Sequence, residues 1–312
     1  MSDITRRTFP PATAMNRRNF LGASASAIAL DAQTPTAERP TLCLFTKHAA
    51  HLNYQDLAKF SKQTGFGGVD LTVRPGGHVL PEKVAADLPV AVAIMETAGL
   101  KVPMITTGLT NPKAPETTAT LRAAGQLKIP FWKVGYFKYD ANKDGSVDID
   151  RKMAEVQNAL SGFAVLSRLY NVCAGVHNHS GNYVGAPVWD TWNLISLMDA
   201  NHIGFYFDPA HATAEGGAWT WNSSLEVALR RMKMLAVKDF YWEKDKGKWK
   251  MRWCPLGQGM VDWPMVMKRL ALAKFSGPIT LHVEYQTADE LKSVAEDFAV
   301  MKKLVDGAYG QA

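Results

Sequence analysis

From Thr41 onward, apolar positions recur with a period that switches between two and 3.6 residues, the mark of strands alternating with amphipathic helices. TLCLFTK is a short apolar run. Asn53 then stands as an N-cap before YQDLAKFSKQTG, where Tyr54, Leu57, Ala58 and Phe60 mark one face and Gly65 a stop. FGGVDLTV reads as a strand that sets Asp70, Thr72 and Arg74 on one side, with PGGH as the loop beyond it. A helix over 84–98 leads to KVPMITTGL, and a helix over 117–126 leads to IPFWKVGYFKY. The alternation continues with a helix over 149–170, the strand VCAGVHNHSG, a helix over 189–198, the strand IGFYFDPAHA and a helix over 225–231. It ends with the strand MLAVKDF, a helix over 263–274, the strand ITLHVEY and a helix over 289–304.

Eight strands separated by helices predict an α/β fold, a single-domain (β/α)8 barrel over residues 41–304 whose last helix packs beside the first strand. One segment departs from the repeat. FYWEKDKGKWKMRWC, between Asp239 and Pro255, reads as a β-hairpin inserted after strand seven and turning at Lys246-Gly247. Its Trp242, Trp249 and Trp253 either cover a pocket, with Trp242 stacking on substrate, or pad the hairpin against the barrel rim.

Composition agrees with a globular chain of 312 residues, 47% hydrophobic and 21% charged. The formal charge is +6, but Arg6, Arg7, Arg17 and Arg18 against Asp3 and Asp31 leave +4 for the remainder. No basic run is interleaved with aromatics, which argues against a nucleic-acid partner. The leader, residues 1–32, holds MNRRNFLGASASAIALDA, a twin arginine followed by a short apolar stretch and the small-residue boundary Ala27-Ile28-Ala29. This order resembles a twin-arginine export signal and implies a periplasmic protein, with no membrane span once the signal is removed. The three cysteines have no finger or CxxC spacing, and Cys43 and Cys173 fall in apolar strands while Cys254 falls in a loop.

The chemistry gathers at strand ends. Period two points His177 and His179 together, and likewise His282 and Glu284, while Asp208 closes an aromatic strand just before His211. A closed parallel barrel brings these ends to one mouth. Lys238 shares a face with Ala236 and either moves a proton or neutralises Asp208 and Glu284. Arg74 and His78 can hold a carboxylate, a phosphate or a sugar hydroxyl, and His179 a substrate hydroxyl. The glycines of PLGQGMVDW suit a tight turn with Asp262 capping the next helix, and no GxGxxG or Walker pattern points to a nucleotide.

Taken together and in order, GVDLTVRPGGHV, HNHSG, FDPAHA, the KDF strand, PLGQGMVDW and HVEY resemble the xylose isomerase-like TIM barrels, the sugar phosphate isomerases and epimerases. The resemblance implies a divalent cation at the barrel mouth, commonly on two Glu, one Asp and one His. Asp208 and Glu284 match the Asp and the last Glu. His177 stands where many members have the first Glu, and Ala236 stands where they have the metal histidine. The implied ligand set is therefore His177, Asp208, His282 and Glu284, with His179 and His211 as alternative nitrogen donors, for Mn, Mg, Co or Zn. Glu284, His211 and Lys238 are the implied catalytic groups. The expected activity is a metal-assisted isomerase or epimerase of a small sugar or keto-sugar, with a lyase or hydratase, or a non-catalytic sugar-binding barrel, as alternatives. A small-molecule sugar is the expected partner, and a homo-oligomer stays open.

Overall fold

A computed structural model describes residues 38–310, so the export-signal reading of the first 32 residues lies outside the described part. Seven strands follow in chain order: β1 (Leu42–Phe45), β2 (Gly68–Val73), β3 (Lys101–Thr107), β4 (Phe131–Lys133), β5 (Cys173–His177), β6 (Ile203–Phe207) and β7 (Met232–Val237). After them come β8 (Asp239–Asp245), β9 (Lys248–Cys254) and the last barrel strand, β10 (Ile279–Leu281). β1 to β7 and β10 form a closed parallel barrel, sealed where Leu42 and Leu44 pair with Ile279 and Leu281. This is the expected (β/α)8 barrel. β8 and β9 form the separate antiparallel hairpin. It turns at Lys246 and Gly247, whose φ of 49° and 79° place both in the left-handed region that a two-residue hairpin turn demands.

Helices α1 (Tyr54–Thr64), α2 (Val84–Thr97), α3 (Pro115–Gln126), α4 (Ile149–Leu169), α5 (Val188–Ile195), α6 (Pro209–Leu229), α7 (Trp263–Leu272) and α8 (Glu290–Tyr309) surround the strands. Their starts follow sequence chemistry. Asn53, Asp148, Asp208, Asp262 and Asp289 each accept a backbone N–H of the first turn, satisfying a donor that the helix leaves open. None of the described helices is long and apolar enough to cross a membrane.

Two expectations need correction. The sequence reading begins the sixth helix at Leu225, whereas α6 starts at Pro209 and tolerates one non-helical residue, Gly217 at φ 59° and ψ −153°. Gly217 interrupts the helical conformation, so two helical stretches meet at a kink, the second running on to Leu229. Cys254 is buried at the end of β9 and not in a loop; all three cysteines are buried and unpaired.

Inside the barrel, Met104, Tyr206, Met234 and Ala236 form a small apolar layer, with Phe131 against it. Gly175 makes room for it, since a Cβ there would meet the Met234 Cε at 1.9 Å. Counting two residues onward from Tyr206 and Ala236 reaches Asp208 and Lys238, so this plug is the floor of the site.

Candidate functional site

The DPAH sequence after β6 explains the site's centre. Asp208 caps α6, with Pro209 at the first helical position and the His211 N–H donating to Asp208 Oδ1 at 3.1 Å. The cap uses one carboxylate oxygen and leaves the other, Oδ2, facing the barrel mouth. Asn178 fixes this turn from β5, accepting from the Asp208 N–H at 2.8 Å and donating to its carbonyl at 2.9 Å.

Lys238, just beyond β7, extends to this corner. Its Nζ lies 3.1 Å from Asp208 Oδ2 and 2.8 Å from His211 Nε2. Because a lysine ammonium only donates, His211 Nε2 accepts, and its Nδ1–H then donates to Ser180 Oγ at 2.8 Å. Burial, then the neighbouring Lys238 charge, holds His211 well below the usual imidazole range, so the ring is neutral. Burial alone pushes Asp208 upward, but Lys238, His211 and His282 outweigh it and leave the carboxyl below its ordinary value. Trp253 of the hairpin closes the corner, its ring 4.6 Å under Lys238 Nζ and edge-on to His211 at 5.3 Å.

The opposite wall is built from imidazoles and phenols. His177 Nε2 is 3.4 Å from Asp208 Oδ2, and its Nδ1 pairs with the Tyr136 hydroxyl at 2.8 Å. His282 Nε2 pairs with Tyr206 OH at 3.0 Å, and its Nδ1 faces Glu284 Oε1 at 3.8 Å. Burial, then Lys238, keeps both rings neutral by depressing their pKa well below the usual value. Glu284 accepts from Lys47 Nζ at 2.8 Å. Burial raises its pKa, but Lys238 and Lys47 more than offset that and keep it ionised. His48 orders this strand end from below: its Nε2 accepts the Val283 N–H at 3.0 Å while its Nδ1 pairs with Glu290 at 2.9 Å.

The sequence-derived residues thus divide. His177, His179, Asp208, His211, Lys238, His282 and Glu284 meet at one mouth, His179 with its ring 4.0 Å from that of His211. Arg74 borders the mouth, its guanidinium 5.6 Å over Phe45, whose ring stacks on His282 at 4.4 Å. His78 pairs with Thr72 through both its ring and its backbone, Nδ1 lying 3.3 Å from Thr72 Oγ1 and the N–H donating to the same hydroxyl at 2.9 Å. Trp242 stands farther out on the hairpin, 39% exposed, and Trp253 takes the place at the mouth.

Residues given no role from the sequence include Tyr136, Tyr206 and two buried groups at the floor, Asp70, placed beside Thr72 and Arg74 on its strand, and Lys133. Asp70 Oδ2 accepts from Thr106 at 2.9 Å and from Tyr206 OH at 3.4 Å. Lys133 donates to the Val134 carbonyl at 2.8 Å and lies 3.6 Å from the Tyr136 ring centre. Burial pushes Asp70 up to about 7, and burial with Arg74 brings Lys133 down to about 7. The available signal was a single charge inside each apolar strand run, in GVDLTV and FWKVG.

The raised Asp70 pKa has a measurable consequence. Between about 4 and about 7 the folded state keeps a proton that the unfolded chain releases, so this group's contribution to stability is lost as pH rises through that window. Asp70→Asn is therefore expected to gain about 2–3 kcal/mol over wild type on going from pH 5 to pH 8. Urea denaturation of both proteins at the two pH values checks this; parallel curves would remove the assigned protonation.

The donor chemistry of the mouth suits a cation. His177 Nε2 and His282 Nδ1 are buried without a hydrogen-bond partner, and Asp208 Oδ2 has only its ionic contacts, of which Lys238 is the nearest. With Glu284 they offer two nitrogens and two carboxylates, the mixture favoured by borderline divalent ions. Among the described residues, no three His, Cys, Asp or Glu side chains converge on one point, and Lys238 supplies the charge opposite Asp208.

The chain belongs to the xylose isomerase-like TIM barrel family, whose model matches residues 58–304. Solved structures with the same fold include 3-keto-D-glucoside 4-epimerase, YcjR, from E. coli, at 12% identity and TM-score 0.65, covering 85% of this chain and 100% of that one. A D-tagatose 3-epimerase-like protein matches at 11% identity and TM-score 0.67, covering 86% and 98%. A xylose isomerase-like barrel from Mycobacterium smegmatis, in complex with magnesium, matches at 17% identity and TM-score 0.61, covering 82% and 89%. No curated protein matches the sequence.

Proposed function

We propose that this chain is an isomerase or epimerase that moves a proton on the carbon beside the carbonyl of a small keto-sugar. The observation that carries the reading is the buried corner in which Lys238 Nζ donates to neutral His211 at 2.8 Å beside ionised Asp208 at 3.1 Å. Lys238 is the group that can donate to a carbonyl oxygen as it gains negative charge, and Asp208 holds the ammonium in place. His211, fixed in one tautomer by Ser180, accepts from Lys238 and so orients the ammonium, whose donated proton goes to the carbonyl oxygen and returns to Lys238 when the carbonyl re-forms. Glu284, ionised at the other side of the mouth, is the base for the carbon-bound proton, with Lys47 orienting it. The epimerases with the same fold support this reading.

The proposal includes a divalent cation held by His177, Asp208, His282 and Glu284. When bound, such an ion supplies Lewis-acid polarisation of the substrate carbonyl. It also includes export, so that the enzyme works in the periplasm.

The test is deuterium uptake from heavy water by a panel of keto-sugars, followed by NMR with and without added Mn2+. Uptake beside the carbonyl together with the epimer or isomer is the expected result. Uptake accompanied by an unsaturated product would replace the isomerase with a lyase. Sugar binding with no uptake would overturn both and leave a binding protein.

A further inference from the structure

The β8–β9 hairpin has two faces of opposite character. Cross-strand partners share a face, so Phe240 and Trp253, Trp242 and Met251, and Lys244 and Trp249 lie together on one side. The other side carries Tyr241, Glu243, Asp245, Lys248, Lys250 and Arg252, including Arg252 on Glu243 at 2.7 Å and Lys250 on Asp245 at 2.6 Å. A charged outer face is what a solvent-facing ribbon needs. The aromatic face has no such explanation.

That face runs outward from the catalytic corner. Its inner end is Phe240, fully buried, and Trp253, which lies against Lys238 and His211. Met251 comes next, its sulfur 3.8 Å from the Ser180 hydroxyl that holds His211. Beyond it, Trp242 and Trp249 are 39% and 65% exposed. At the usual strand rise, Trp249 lies about 13 Å along β9 from Trp253. Apolar burial therefore fades with distance from the mouth, while the row of ring faces continues.

We infer that this face is a subsite for the second ring of a glycoside, so that the substrate is a keto-sugar carrying a further sugar. The inference rests on the proposed sugar chemistry of the mouth. A pyranose presents axial C–H groups that pack on an aromatic ring while its hydroxyls stay in water or reach Lys244, and indole offers the largest such surface. The occupant follows from continuity: a ring bound at Lys238 and His211 has its next ring directed along Met251 towards Trp242 and Trp249. A second protein copy fits less well, because the face consists of six side chains, where a stable interface takes about 20–30 residues a side.

The test compares the binding of D-fructose with that of lactulose, turanose and isomaltulose, keto-disaccharides that retain the fructose unit, by isothermal titration. At least one disaccharide is expected to bind about tenfold more tightly than D-fructose, the scale of one stacking contact. Trp249→Ala is expected to remove most of that preference, and Trp249→Phe to restore part of it. D-fructose binding with no tighter disaccharide, or a preference unchanged in Trp249→Ala, would overturn the subsite and leave the proposed function standing. If Trp249→Ala instead turned an oligomer into a monomer without changing the preference, the face would be a protein interface. Absence of binding by all four sugars would sink the sugar reading and the subsite together.

Discussion

Lys238→Met should reduce deuterium exchange by about 10³-fold, the loss typical of a removed acid–base group, and it should also weaken the fold. The two effects have one cause. Lys238 is the cation nearest Asp208 Oδ2, at 3.1 Å, while the imidazoles around that carboxylate are neutral. Methionine fills much of the same volume but leaves Asp208 buried and charged without a counterion, which costs about 3–5 kcal/mol when a buried pair is broken. The packing of Nζ over Trp253 goes as well. Lys238→Arg separates the two roles. It restores a positive charge to Asp208 and much of the melting temperature, but its planar fork does not reproduce the single contact to His211 Nε2, so exchange stays low. Exchange kinetics and thermal melts of both variants check the pair of outcomes. Exchange by Lys238→Met at the wild-type rate would remove Lys238 from the chemistry.

Most of the barrel was legible because its signals are local. Caps at Asn53 and Asp262, the alternating apolar periods and the Lys246-Gly247 turn each follow from a few neighbouring residues. The clustering of strand-end groups was legible for the same reason, since period two and barrel closure bring His177, Asp208, Lys238, His282 and Glu284 to one end. Contacts set by the curvature and tilt of the closed sheet were not. Nothing in the order of residues says that Tyr136 reaches His177, that Tyr206 spans Asp70 and His282, or that Trp253 and not Trp242 lies over Lys238. His78 is a further case. Its position after β2 suggests the mouth, and nothing in the sequence says that its ring pairs with Thr72. The stretch from Pro209 to Gly216 was missed as helix, while the helical stretch beyond the non-helical Gly217 contains most of the helix expected around Leu225–Arg231.

Asp208 unites the structural and chemical parts of the site, and Asp208→Asn distinguishes them. The amide keeps the side-chain volume, and its one carbonyl oxygen can still accept the His211 N–H that starts α6. Asn178 continues to hold the backbone from β5. The helix start should therefore survive, but the buried Lys238 ammonium loses its counterion, so the melting temperature should fall as it does for Lys238→Met, by the same broken pair. What disappears is the negative charge at the mouth. The amide's NH2 then faces Lys238 and His177, so Lys238 loses its anchor and a cation loses its strongest oxygen donor. Exchange should fall by about 10²–10⁴-fold, and Mn2+ uptake measured by elemental analysis after dialysis should drop to background. Glu284→Gln provides the comparison, because it removes the other carboxylate without touching a helix cap. Loss of exchange with full Mn2+ content in both variants would show that the cation is held elsewhere, while wild-type exchange in Asp208→Asn would remove this corner from the reaction altogether.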